Sequence, residues 1–149
     1  MKLRFLTKKE MKLITAAVGE AEKSTAGEIR VVVAKNSRKF KSENPVYDHA
    51  VSAFHKYGLT NTKDKTGVLI FLSIKEHRIQ ILADTGINAK VEQTVWDSMV
   101  SHLATNIVEG NTCPAIIDVV KKSGEILAQH FPIQSGDVNE LPNEVVVEK

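Results

Sequence analysis

The pattern of apolar and polar positions is most decisive between residues 67 and 84. Gly67-Val68-Leu69-Ile70-Phe71-Leu72-Ser73-Ile74 is continuously apolar and rich in β-forming residues, as in a strand covered on both faces. After Lys75-Glu76-His77, the run Arg78-Ile79-Gln80-Ile81-Leu82-Ala83 sets Ile79, Ile81 and Ala83 against Arg78 and Gln80, the alternation of a sheet margin. Together they predict an antiparallel hairpin. Glu28-Ile29-Arg30-Val31-Val32-Val33-Ala34, dense in β-branched residues, predicts a further, central strand.

Helical periods fill the remainder. Thr7-Lys8-Lys9-Glu10 is a capping box, and Met11, Ile14, Val18 and Ala21 form the stripe behind it, closed by Ser24-Thr25-Ala26-Gly27. Asn44-Pro45 starts a helix on Val46, Ala50, Val51, Phe54 and Tyr57. Residues 58–66 form a polar connection without a regular element. Asn88 is placed to cap a helix through Val91, Val95, Met99, Leu103 and Ile107, ended by Gly110-Asn111. Thr112 is placed to cap a last helix, with Pro114 in its first turn, running over Ile116, Val120 and Leu127 to Phe131 before Pro132. One domain over 1–131 and a disordered tail over 132–149 follow, the alternative for the tail being an edge strand at Val145-Val146-Val147.

The first strand and the apolar hairpin strand are separated by a helical crossover, so they run parallel. The expected fold is therefore α/β, a three-layer α/β/α sandwich with a mixed, mostly parallel sheet that includes the hairpin. In that topology Glu28, Asp64 and Asp84 arrive at one end of the sheet, each beside glycine or a small hydroxyl residue. Three carboxylates in one place call for a positive ion, and a hard divalent cation, Ca2+ or Mg2+, suits oxygen ligands. The alternative is that Glu28 pairs with Lys65, Asp84 makes an Asx turn with Gly86, and Asp64 is solvated.

Composition narrows the function classes. With 20 basic and 18 acidic residues the net charge is +2, too small to drive nucleic-acid or membrane binding in bulk. No apolar run reaches the ~20 residues of a membrane span and the amino terminus has no leader's apolar core, which predicts a soluble, cytoplasmic protein. The single cysteine, Cys113, reads as a packing residue near a helix start, and the five histidines show no zinc spacing. Lys35, Arg38, Lys39 and Lys41 with Phe40 form a basic loop, expected either as a solvated connection or as a patch for RNA or an acidic partner.

Thr25-Ala26-Gly27-Glu28-Ile29-Arg30-Val31, Lys65-Thr66-Gly67-Val68-Leu69-Ile70 and Ala83-Asp84-Thr85-Gly86-Ile87-Asn88, in that order, resemble the TPM domain over roughly residues 5–131. The resemblance implies an α/β/α sandwich, a divalent-cation site carried onto Glu28, Asp64 and Asp84, and acid-phosphatase-like activity as in some members. A phosphomonoester would then be the substrate, Asp84 the nucleophile or base, and Lys65 the group that stabilises anionic oxygens. The alternative is a calcium-ordered module that contacts another protein.

Overall fold

The computed structural model describes residues 3–104, 111–134, 136 and 139–149, without the side chains of residues 102 and 103. Its sheet is built from β1 (Glu28–Ala34), β2 (Gly67–Ser73), β3 (Arg78–Ala83) and β4 (Val146–Glu148), in the spatial order β3-β2-β1-β4. β1 pairs parallel with both β2 and β4, whereas β2 and β3 form the antiparallel hairpin. Every residue of β1 and β2 is buried, as their unbroken apolar runs require, and β3 shows the alternation of a strand with an exposed margin.

Side-chain alternation divides β1 between two cores. Ile29, Val31 and Val33 face a core closed by α1 (Lys8–Glu22), α4 (Gln93–Ala104) and α5 (Thr112–His130), in which Ile14, Trp96 and Ile116 are fully buried. Val32 and Ala34 face the opposite core under α2 (Pro45–Lys56), with Ala50 and Phe54. This is the expected α/β/α arrangement. Each fully buried Ile, Leu or Phe stabilises it by about 1.5–3 kcal/mol, so two strands covered on both sides dominate the favourable term.

Local signals account for most boundaries. Thr7 Oγ1 accepts the Glu10 N–H at 3.1 Å while Glu10 Oε1 accepts the Thr7 N–H at 3.0 Å, which completes the capping box of α1. Asn44 caps α2 through Tyr47 N–H, with Pro45 at the first helical position. Cys113 is a buried packing residue, as expected, and Trp96 is fully buried.

Three expectations are corrected. The connection 58–66 contains a 3-10 turn at Leu59–Asn61, because Leu59 is fully buried against Gly67 and fixes the loop. Asp84, not Asn88, starts the next helical piece, the short α3 (Thr85–Asn88), and Asn88 instead donates to Ala83 O at 2.9 Å. Asn111 holds the N-cap position of α5, without a side-chain cap bond, and Thr112 is its first residue. The expected end of the preceding helix at Ile107 and Gly110 lies outside the described residues.

The tail is the larger correction. Against the expected disorder, and in line with the alternative edge strand at Val145-Val146-Val147, residues 146–148 form β4 on the free edge of β1, and Lys35 N–H donates to Glu148 O at 2.8 Å. Three β-branched or charged residues carry too short a period to read, but the buried edge of β1 requires hydrogen-bond partners and β4 supplies them. Deleting residues 145–149 should make the Lys35 amide exchange at least about tenfold faster while β2 amides keep their protection, as followed by hydrogen–deuterium exchange.

Candidate functional site

Of the three acids expected together, Glu28 and Asp84 lie on either side of the loop that covers the sheet end, and Asp64 lies on that loop with its side chain exposed. Register aligns Glu28 with Gly67, and Asp84 N–H donates to Gly67 O at 2.9 Å, so the three positions form one cross-strand row. Gly67 lies directly under the 3-10 turn: a Cβ there would sit 2.6 Å from Leu59 O and 3.2 Å from Leu59 Cδ2. Leu59 therefore occupies the space between Glu28 and Asp84. Among the described residues no group of three or more His, Cys, Asp or Glu side chains is assembled for a metal ion.

Asp84 is a helix cap. Its Oδ1 accepts Thr85 N–H at 2.7 Å, and its buried Oδ2 has no hydrogen-bond partner. The side chain lines a cavity with Tyr47, Val51, Phe54 and His55 under α2. Asp64 is exposed and meets the Asp84 turn only through its backbone: a Cβ at Gly86 would lie 2.2 Å from Asp64 O and 2.6 Å from Lys65 O, so only glycine fits. Lys65 adopts φ +58° and its ammonium donates to Thr60 O at 2.9 Å, rather than pairing with Glu28.

Glu28 has a partner that spacing did not single out. It is 1 % exposed and faces Glu22, from the last turn of α1, in a small cavity of about 70 Å³ that Thr25, Gly27 and Asn139 also line. Glu22 Oε2 accepts the Ile29 N–H at 2.7 Å, the edge amide of β1 that β4 does not reach. Glu28 Oε1 accepts the Glu140 N–H from the returning tail. The remaining oxygens, Glu22 Oε1 and Glu28 Oε2, are buried with no hydrogen-bond donor from outside the pair, so only a proton shared between the two carboxyls bonds them.

Two carboxylates thus share one enclosed space. Burial, followed by the charge of Glu28, pushes the Glu22 carboxyl up to about 8, against the stabilising bond from Ile29 N–H. Burial likewise raises Glu28, against the bonds from the Glu140 amide and Glu22. Arg30, two residues along the same strand face, donates to the carbonyls of Tyr57 at 3.2 Å and Glu144 at 3.5 Å, and so leaves the pair without a directly bonded cation. Such a pair is stable when it holds a proton or a positive ion between its oxygens. No spacing in the sequence ties Glu22 to Glu28, because only the turn after α1 brings that helix end onto β1.

Comparison with known proteins agrees with the architecture. The TPM domain family matches residues 2–126. The chain is similar to the BA42 protein of the psychrophilic bacterium Bizionia argentinensis, solved by NMR, at 37 % identity and a TM-score of 0.82, covering 97 % of this chain and 96 % of that one. It also shares its fold with the N-terminal domain of a protein from P. gingivalis, at 16 % identity and a TM-score of 0.67 over 85 % of this chain and 78 % of that one. No curated protein matches the chain. Among the described residues no helix is long and apolar enough to cross a membrane.

The carboxyl pair gives stability a definite pH dependence. Glu22 takes up its proton near the ordinary 4.5 when unfolded and near 8 when folded, so the folded state binds more protons between these values and loses stability as pH rises through them. Glu22→Gln keeps an acceptor for Ile29 N–H and removes the repulsion. Its unfolding midpoint should exceed that of the wild type by roughly 2–4 °C at pH 8 and by much less at pH 5, as measured by calorimetry in the presence of a chelator.

Proposed function

The chain belongs to the TPM domain family, and we propose that it is a divalent-cation-binding domain whose ion, Ca2+ or Mg2+, is held by Glu28 together with Glu22. The observation that carries this reading is the pair of buried oxygens, Glu22 Oε1 and Glu28 Oε2, that no donor outside the pair satisfies, beside one small cavity. Two carboxylates with neutral oxygens and retained water suit Mg2+, and a flexible oxygen shell suits Ca2+. Asn139 lines the same space and carries a neutral amide oxygen of the right chemical kind, while the Thr25 hydroxyl there already bonds Phe131 O and Gly27 N–H. A bound cation would cancel the repulsion and join three distant segments: the end of α1, the start of β1 and the tail at 139–140.

This reading keeps Glu28 as the expected ligand and exchanges Asp64 and Asp84 for Glu22. Asp84 caps α3 through Oδ1, and its buried, unpartnered Oδ2 lies at a cavity lined by no second carboxylate; Asp64 is exposed and reaches the turn only by its carbonyl. Binding is favoured over phosphomonoester hydrolysis for the same reason. The expected nucleophile, Asp84, has one oxygen on Thr85 N–H, while the ammonium of Lys65 donates to Thr60 O.

Titration with millimolar CaCl2 or MgCl2 at pH 8, followed by NMR, should shift the amides of residues 22–28 and 139–141 and raise the thermal midpoint. Glu28→Gln should abolish both responses. Asp84→Asn should retain them and lose only a few tenths to about 1 kcal/mol of stability through its weaker cap. Shifts confined to 64–66 and 84–86 would return the ion to the hairpin mouth; no shift with either ion would end the proposal. Equal hydrolysis of a generic phosphomonoester by wild type and Asp84→Asn would remove the assigned catalytic role of Asp84.

A further inference from the structure

At the other end of the sheet, the carboxyl ends of β1 and β4 open into a cavity of about 410 Å³. The loop after β1, the His49, Ser52, Ala53 and Lys56 side of α2, and the chain at Glu148 and Lys149 surround it. Five cations line it: Lys35, Arg38, Lys39, Lys56 and Lys149. Only Lys56 has a carboxylate partner, Glu148 Oε2 at 3.8 Å; among the described residues none of the other four is in an ion pair. A chain of net charge +2 has therefore gathered a local excess of positive charge around one concavity.

The basic loop is held, which a merely solvated connection would not require. Ser37 is 1 % exposed: its N–H donates to Glu76 Oε2 at 2.8 Å, and its hydroxyl is 2.9 Å from His49 Nδ1 and 2.8 Å from Ser73 Oγ. Asn36 Oδ1 takes the Arg38 N–H at 3.1 Å, and Phe40 stacks on His49 with ring centroids 4.5 Å apart. Cations on an anchored loop are oriented before a ligand arrives, which lowers the ordering cost of binding.

The one carboxylate side chain that lines the cavity is already engaged. Glu148 accepts from Tyr57 OH and bonds His49 Nε2 at 2.8 Å. Burial alone would raise this acid, but those two bonds and the nearby positive charge hold it below its ordinary value, so it stays an anion committed to its partners. The site also lies where open α/β sheets bind ligands: outside the carboxyl ends of parallel strands, beside a strand whose neighbours are reached over opposite faces.

We propose that this cavity binds a small organic phosphate of about nucleotide size, its phosphate oxygens held by Arg38, Lys39, Lys35 and Lys149. Arginine offers the planar fork that matches phosphate, and the lysines add point charge. The volume falls within the range for small-molecule sites. A single-stranded nucleic acid is disfavoured, because it needs a groove with successive stacking platforms and Phe40 already has one face on His49. The proposal is independent of the cation site, which sits at the opposite ends of the same strands.

The test is an NMR titration at low salt with EDTA present, using ATP, AMP, orthophosphate and a single-stranded oligonucleotide as separate probes. ATP should shift the amides of residues 35–40, 52–56 and 149, with weaker effects from AMP and orthophosphate. The double variant Arg38→Glu/Lys39→Glu, both exposed, should weaken ATP binding by roughly tenfold or more and leave amides outside the cavity unchanged. Lys149→Glu should weaken it less, and it serves as the second probe if the double variant does not fold. Absence of shifts with millimolar ATP, equal affinity in both variants, or tighter binding of the oligonucleotide than of ATP would overturn the assignment.

Discussion

A strand buried on both faces and paired on both edges must have its polar ends satisfied by something other than water, and β1 is such a strand. Its interior is simple: β-branched residues fill two cores and the ladder pairs its amides. Its ends are not. At the amino end the edge amide of Ile29 reaches Glu22, and at the carboxyl end the amide of Lys35 reaches Glu148 O. Both unusual features of the molecule, the carboxyl pair and the cationic cavity, follow from how these ends are closed.

The two closures use opposite charge. At the amino end Glu22 and Glu28 are both acceptors of backbone N–H groups, so the strand start is satisfied at the cost of bringing two anions together. At the carboxyl end Glu148 is surrounded by His49, Tyr57 and Lys56, and the surplus there is positive. The tail joins both ends, since residue 140 bonds Glu28 while residues 146–148 extend the sheet. It is thus a strap along β1, and the charges at either end are coupled to its docking.

Much of this fold was legible because apolar patterning is a local property with global consequences. The limits of β1 and the hairpin pairing of β2 with β3 could be read from runs and alternation, and α1 from its capping box. β4 was legible only as an alternative, on the β-branched Val145-Val146-Val147, since three residues show no period and acquire strand geometry from the waiting edge of β1. Glu28 was identifiable from its place beside Gly27 at a strand start. Its partner Glu22 was not, because six residues and a change of direction separate them, and topology carried Asp64 and Asp84 only to the same sheet end, not into the same pocket.

Leu59 explains why sharing a sheet end is not sharing a site. Gathering three carboxylates would have required open space above Gly67, yet that glycine admits the Leu59 backbone and side chain at van der Waals distance. Burying one leucine contributes about 1.5–3 kcal/mol, whereas three uncompensated anions would each be costly to desolvate. An apolar plug is therefore the stable solution at the centre of the row. The acids are left to its flanks, where Asp84 turns to a helix cap and Glu28 turns to Glu22, and only on the Glu28 side do two carboxyl groups share one enclosed space.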